Sequence, residues 1–277
     1  MKLALVVHPS RPKAVDVATR LVEEADRRGV AVTASEADAS RVAGTTRRPR
    51  AEAGDADAVI AVGGDGTVLE AVRVALHADL PVLAINAGHV GFLAEIEPDR
   101  ISEALDLLLA GQYTESNRMT LAAHLPGREP VDGINDVVVE KVVSQHVVRI
   151  AVAVGGEHFA NYRPDALIVA SPTGSTAYTF SAGGPLIDPE LKAVALTAVA
   201  PHDLFARPIV FRPDVTLRLT VVDSRPVRVN VDGRPIDTLD EGEWIEVTKG
   251  SRPARFISFW PRNFAGVVKE KFQLRDR

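Results

Sequence analysis

The sequence predicts an α/β amino-terminal domain, a parallel sheet with flanking helices, followed by a β-rich, mainly antiparallel carboxy-terminal domain. Three observations carry this. Through about residue 116, short apolar runs alternate with helical patterns, an alternation that joins parallel strands by crossovers. After about residue 117 helical patterns become scarce, and apolar alternation comes in short runs separated by Gly, Pro and Asp. Within the first part, one β-branched strand runs directly into a cluster of glycines that opens a helix.

Leu3 to Val7 reads as a buried strand. Residues 13 to 28 set Ala14, Val17, Ala18, Leu21, Val22 and Ala25 at helical spacing, and Gly29 stands where a helix C-cap falls. Ala31 to Thr33 is a short second strand. The polar stretch from Glu36 to Asp57, which holds Arg47-Arg48-Pro49-Arg50, lacks periodicity and reads as a mobile loop. Ala58 to Val62 is a strand, Val68 to Leu76 a helix, Pro81 to Ile85 a strand and Ile101 to Leu109 a helix. Beyond them, Val137 to Val139, Val147 to Val154, Leu217 to Val222, Val227 to Val231 and Trp244 to Val247 belong to a set of up to ten short strands. Asn263 to Phe272 reads as a short helix. The expected division is residues 1–116, with the tail 262–277 packing back on them, and residues 117–261.

A chain of 277 residues is long enough to bury one large core or two ordinary ones. The absence of cysteine excludes disulfides, thiolate nucleophiles, iron–sulfur clusters and cysteine zinc sites, so any chemistry comes from oxygen and nitrogen groups. A net charge of −5 argues against a general nucleic-acid binder, which needs a positive surface. Lys2 is followed by only five apolar residues before His8-Pro9, too few for a signal peptide or membrane span, and no later stretch reaches membrane length. The expectation is a soluble cytoplasmic protein with no membrane or nucleic-acid partner.

Two segments carry chemistry. In Ala58-Val59-Ile60-Ala61-Val62-Gly63-Gly64-Asp65-Gly66-Thr67-Val68-Leu69, a strand ends in glycines and opens a helix. Its backbone N–H groups can approach phosphate oxygens, aided by the helix dipole, because no Cβ blocks them. The plainer reading is a tight turn with Asp65 or Thr67 as N-cap. No Gly-Lys-Ser/Thr follows, so it is not a Walker A loop. A carboxylate among phosphate-facing glycines makes sense as a base for an attacking hydroxyl or through Mg²⁺. The second segment, Asp165 to Pro185, is a strand followed by a loop dense in Ser, Thr and Gly with one Tyr. It is either a structural turn or a snug polar pocket for a ribose and an aromatic base, and the two readings differ in burial.

Gly63-Gly64-Asp65-Gly66-Thr67, Asn86-Ala87-Gly88-His89-Val90-Gly91-Phe92-Leu93, Asn135-Asp136, and Pro172-Thr173-Gly174-Ser175-Thr176-Ala177-Tyr178 with Ser181-Ala182-Gly183-Gly184-Pro185 occur in the order and rough spacing of bacterial NAD kinases, which nearly the whole chain resembles. The first element is shared with lipid kinases; the last is far more specific. The resemblance implies transfer of phosphate from ATP or inorganic polyphosphate to the 2′-hydroxyl of the adenosine ribose of NAD, in a homodimer or homotetramer. It implies Asp65 as catalytic base, with Gly63, Gly64, Thr67, Asn86 and Gly88 as the phosphate-donor loop. It assigns dinucleotide contacts to Gly66, Asn135, Asp136, His146, Arg163, Asp165, Thr176, Ala177, Tyr178, Thr179, Phe180, Ser181, Ala200 and Arg234. Arg163 stands where a bulky residue goes with preference for NAD over NADH.

Read without the family, Asn135-Asp136 is a turn entering a strand, and Asp232-Gly233-Arg234 is a hairpin turn. No His, Asp and Glu cluster has the spacing of a protein metal site, so Mg²⁺ or another divalent cation is expected to arrive with ATP, and no tightly bound organic cofactor is expected. Ala166, Ser171, Asp203 and Val90 depart from the family's usual Gly, Thr, small hydroxyl residue and Leu. Two alternatives stand beside the kinase reading: a lipid kinase of the same superfamily, and a noncatalytic NAD or NADP sensor that kept the pocket.

Overall fold

The computed structural model describes residues 1–48, 53–88, 91–143, 146–203, 206–261 and 263–274. It divides into two units, Met1–Asn117 with Ala254–Arg277, and Arg118–Pro253. The sequence-expected boundary at 261/262 therefore moves to 253/254, because Ala254 to Ser258 is a strand of the first sheet and not of the second unit.

The first unit runs β1 (Lys2–Val7), α1 (Pro12–Asp26), β2 (Ala31–Ser35), α2 (Glu36–Ala39), β3 (Thr46–Arg48), β4 (Ala58–Gly63), α3 (Asp65–Ala78), β5 (Val82–Asn86), α4 (Ile101–Leu109) and β6 (Thr114–Arg118). After the second unit it is completed by β19 (Ala254–Ser258) and α6 (Phe264–Lys271), with β7 to β18 lying between. Its sheet has the order β3-β2-β1-β4-β5-β19-β6. From β3 through β19 the neighbours pair in parallel. The central strands β4 and β5 are buried at every position, which is why they read as unbroken apolar runs. Helix α1 starts with Pro12 at its first position and turns its Ala14, Val17, Ala18, Leu21, Val22, Ala25 stripe into the core. Gly29, at φ +69°, ends it, and Val30 N–H closes the turn on Ala25 O at 2.9 Å.

The stretch from Glu36 to Asp57, read as a loop, contains α2 and β3. Ser35 caps α2 by accepting from Asp38 N–H at 3.2 Å, a local bond that leaves no apolar period to detect. Strand β3 adds in parallel to β2, and Pro49-Arg50 lie outside the described residues. The tail helix α6 is capped by Asn263, whose Oδ1 accepts from Ala265 N–H at 3.1 Å, and Phe272 just beyond it packs on Phe92 at 6.2 Å between ring centroids. Among the described residues no helix is long and apolar enough to cross a membrane.

The second unit contains β7 (Leu121–His124), β8 (Val131–Gly133), β9 (Asp136–Lys141), β10 (Ile150–Val154), β11 (Glu157–Tyr162), β12 (Ala166–Ala170), α5 (Tyr178–Ser181), β13 (Val194–Val199), β14 (Ile209–Phe211), β15 (Leu217–Val221), β16 (Val227–Val231), β17 (Arg234–Leu239) and β18 (Trp244–Lys249). That is more than the ten strands expected, because three-residue strands such as β8 and β14 are too short to show alternation. Two six-stranded sheets form, β11-β10-β15-β18-β7-β8 and β14-β13-β12-β9-β16-β17, and every neighbouring pair in them is antiparallel. Val137, Val139, Leu167 and Val169 of the second sheet share one core with Leu121, Ile150, Leu217 and Ile245 of the first. Alternation then puts Asp136, Val138 and Glu140 of β9 on the opposite face, with Ala166, Ile168 and Ala170 of β12.

Candidate functional site

The candidate residues fall into two groups, one in each unit. In the first unit, β4 ends at Gly63 and α3 begins at Asp65, three residues before the apolar period starts. Gly64 occupies the N-cap, so neither Asp65 nor Thr67 caps the helix as the plainer reading expected. Thr67 instead lies against Gly63, where a Cβ would come within 2.7 Å of the threonine Cβ. Its hydroxyl is buried and has no hydrogen-bond partner among the described residues. Asp65 turns its carboxylate to the following loop: Oδ2 accepts from Phe92 N–H at 3.0 Å and Oδ1 from Leu93 N–H at 3.1 Å. Gly91 is needed for this approach, since a Cβ there would lie 2.9 Å from the Asp65 Cγ.

Asn86, 3% exposed at the end of β5, donates from Nδ2 to Glu97 Oε1 at 2.9 Å and accepts from Gly88 N–H at 3.0 Å. Its amide shapes the glycine loop and is already engaged by protein groups. His89 and Val90 lie outside the described residues. A cleft of 540 Å³ opens at the ends of β1 and β4, lined by His8, Arg11, Arg41, Gly64, Asp65, Gly66 and Thr67 among others. Its place is the switch point of the sheet, since the chain leaves β1 toward β2 on one side and β4 lies on the other. His8, Arg11 and Arg41 carry no motif, and only the strand order brings them to the glycines.

In the second unit, Asp232 and Gly233 both have positive φ, +49° and +73°, the requirement of a type I′ turn between β16 and β17. The turn aims the Asp232 carboxylate at another segment: Oδ2 accepts from Ile134 N–H at 2.9 Å, and Oδ1 from Asn135 N–H at 2.7 Å and Asp136 N–H at 3.2 Å. The Asn135-Asp136 turn is thus built on a side chain 97 residues downstream of Asn135. From its other side Ser171 N–H donates to Asn135 O at 2.9 Å. Asp136 is 4% exposed, and burial, reinforced by the Asp232 charge, pushes its carboxyl up to about 7.

That shift fixes the sign of a pH effect. Between about pH 4 and pH 7 the folded chain keeps a proton on Asp136 that the unfolded chain has lost, so stability falls with rising pH, by about 1 kcal/mol per unit at most. Asp136→Asn is expected to flatten this slope in urea unfolding followed across the window; an unchanged slope in the variant would refute it.

The Ser/Thr segment divides between the two readings. Ser171, Thr173, Ser175 and Thr179 are buried, and Ser175 Oγ accepts from Ile187 N–H at 2.9 Å, pinning the strand-to-loop return. Thr179, expected at the ligand, is buried with no partner for its hydroxyl among the described residues, and Thr176 spends its hydroxyl on Thr173 O at 3.0 Å. Ala177 is partly exposed, and Tyr178, Phe180 and Ser181 are exposed along the short helix α5. The Tyr178 hydroxyl is raised above its ordinary range, first by burial and then by Glu140, Asp165 and Asp136, so these carboxylates share its surroundings.

Asp165 pairs with Lys141, a partner that sequence reasoning missed because a lysine closing a strand carries no signal. Arg163 donates from Nε to Asp203 Oδ1 at 3.0 Å while its N–H meets Asp203 Oδ2 at 2.7 Å. The unusual Asp203 is therefore the anchor that holds Arg163 in place. Ala200 sits at φ +43°, a strained conformation for a residue with a Cβ, at an exposed position after β13. Arg234 is exposed at the start of β17. His146 is exposed in the turn after β9, where its N–H donates to Val143 O at 3.2 Å.

Comparison with known proteins bears on this arrangement. Residues 3–113 match the family model described as the ATP-NAD kinase N-terminal domain, and residues 134–259 that of the ATP-NAD kinase C-terminal domain. The NAD kinase of Heliobacterium modesticaldum is 39% identical over 280 residues, 98% of each chain, and that of Moorella thermoacetica 36% identical over 98% of this chain and 89% of its own. Yeast NADH kinase, solved with NADH, superposes with a TM-score of 0.90 over 100% of this chain and 89% of its own; at 22% identity it speaks for the fold alone. An Archaeoglobus fulgidus NAD kinase, solved with ATP, gives 0.79 at 25% identity over 97% of this chain and 99% of its own. Matched in both halves by the family models and along its length by these bacterial relatives, the chain belongs to the NAD kinase family.

Proposed function

We propose that the protein phosphorylates the 2′-hydroxyl of the adenosine ribose of NAD, giving NADP, with ATP or inorganic polyphosphate as donor. The observation that carries this reading is Asp65. Its carboxylate stands at the head of α3 on the rim of the cleft, each oxygen fixed by one backbone N–H yet keeping lone pairs for a hydroxyl proton. In the reaction the ribose oxygen attacks the terminal phosphorus as the bond to the bridging oxygen breaks. The hydroxyl proton passes to Asp65 and then to solvent, and ADP or the shortened polyphosphate leaves. Such a transfer is mostly positioning and charge neutralisation, so a single base suffices.

A divalent cation supplies charge neutralisation on the donor phosphates when bound. Among the described residues no three His, Asp or Glu side chains stand together; in this reading the ion is carried by the nucleotide. On the acceptor side, Asn135, Asp136, Asp165 and Tyr178 hold the dinucleotide in this reading, and the anchored Arg163 favours NAD over NADH. Phe159 on edge strand β11 and Val210 on edge strand β14, both exposed, support a homodimer or homotetramer. We read the protein as cytoplasmic, which a cysteine-free chain is free to be.

The test is an assay of NADP formation from NAD with ATP and with polyphosphate, repeated with NADH. NADP formation with at least one donor is expected, with kcat/KM for NADH lower by about 10-fold or more. No NADP with either donor would overturn the activity, and equal kcat/KM would overturn the preference. The lipid-kinase and sensor alternatives are not favoured, since the family models and the curated relatives matched are NAD kinases.

A further inference from the structure

Arg11 has a setting that none of the motifs explains. It follows β1 and forms the N-cap of α1, its carbonyl accepting from Ala14 N–H at 3.0 Å and Val15 N–H at 3.3 Å. The loop that carries it is fixed to the sheet, with His8 N–H donating to Val62 O at 3.1 Å and Ser10 N–H to His8 Nδ1 at 3.2 Å. From this base the guanidinium reaches across two neighbouring strand ends. Its Nη1 lies 3.7 Å from where a Cβ on Gly64 would stand and 2.8 Å from where one on Gly88 would stand. The glycines after β4 and β5 are thus what allows an arginine to lie over both turns.

Nearby cations are neutralised: Arg41 pairs with Asp38 and Arg73 with Glu70. Among the described residues Arg11 pairs with no carboxylate. It opens on the 540 Å³ cleft, a volume in the range of nucleotide-sized sites, beside the leading N–H groups of the 14-residue helix α3. His8, on the same loop, is held below the ordinary imidazole range, first by burial and then by the Arg11 and Arg41 charges. An unpaired guanidinium on an anchored loop beside helix N–H groups is a site for a phosphate chain, which arginine can bind through two parallel hydrogen bonds.

We propose that Arg11 is a donor-binding residue, clamping the polyphosphate chain of the phosphate donor against the Gly64 and Gly88 turns. The inference rests on the NAD kinase reading and adds to it a residue outside its motifs. The ligand chemistry is a chain of phosphates, presented either by a nucleoside triphosphate or by inorganic polyphosphate. The cleft wall also carries Val6, Val7, Ala37 and Val74, apolar surface that a base could use and a bare phosphate chain could not.

The experiment is steady-state kinetics of the full chain, wild type against Arg11→Ala and Arg11→Lys, with ATP and with polyphosphate as separate arms. Loss of a charge-assisted fork is expected to raise the donor KM about 10- to 100-fold in Arg11→Ala, while the KM for NAD stays within about 2-fold. Arg11→Lys, which keeps the charge and loses the fork, recovers part of the loss. An effect in both arms assigns the clamp to the phosphates, and an effect confined to ATP or to polyphosphate assigns it to that donor. A donor KM within about 2-fold of wild type in both arms, or an equal rise in both KM values, overturns the proposal. Should Arg11→Ala lose its circular-dichroism signal, Arg11→Lys decides by the same criterion. If wild type makes no NADP with either donor, the activity reading fails by itself. Calorimetric titration with inorganic tripolyphosphate then judges the clamp alone, weaker binding by Arg11→Lys supporting it and equal binding refuting it.

Discussion

Asp65→Asn is expected to lower kcat by about 10²- to 10⁴-fold, the range over which a positioned base accelerates proton transfer. The substitution is nearly isosteric, so volume does not enter. What changes is proton affinity, since an amide oxygen cannot take the hydroxyl proton. One of the two bonds to Phe92 and Leu93 N–H survives, because the amide keeps a single acceptor oxygen; the other is replaced by two donors facing each other. Loss of that bond costs about 1 kcal/mol, too little to unfold the domain. Turnover should therefore collapse while the circular-dichroism spectrum and the NAD KM stay close to wild type. A variant that retains most of its kcat would remove Asp65 from the chemistry.

The second large effect is expected at Gly174. An added Cβ would fall inside the backbone of Asn135, 2.7 Å from its Cα and closer still to its carbonyl. Relief by a side-chain swing is unavailable, because the obstacle is main chain. Nor can Asn135 retreat, as its N–H is held by Asp232 at 2.7 Å and its carbonyl by Ser171 N–H at 2.9 Å. Gly174→Ala should lose stability at the upper end of the range for overpacking, about 3 kcal/mol, and raise the NAD KM by displacing the Asn135-Asp136 turn. Urea unfolding and steady-state kinetics check the two parts. A midpoint and NAD KM matching wild type would refute the role given to this glycine.

How much of this was legible differs by kind of signal. The α1 stripe, the β4 and β5 runs and the Asp232-Gly233 turn were readable because each rests on a local period or a local φ requirement. The short helix α2 and strand β3 were not, since one is made by a serine cap and the other by pairing with a strand already in place. In the site, the glycine turns were visible and their long-range supports were not. Asp232 reaches the Asn135 turn, Asp203 holds Arg163, Lys141 meets Asp165, and Arg11 lies over Gly64 and Gly88. None of these pairs has a spacing that a single chain reading could pick out, because the fold sets them.

The position of β19 bears on how the chain is made. It lies between β5 and β6, although about 135 residues of the second unit separate it from both in the chain. During synthesis β6 emerges long before the strand that joins it to the sheet, leaving β5 an open edge in the meantime. The second unit can assemble from contiguous residues as it leaves the ribosome, whereas the first unit waits for Ala254 to Ser258. A nascent chain stalled before Ala254 would hold the glycine turn in sequence but lack the strand that completes the sheet beneath it.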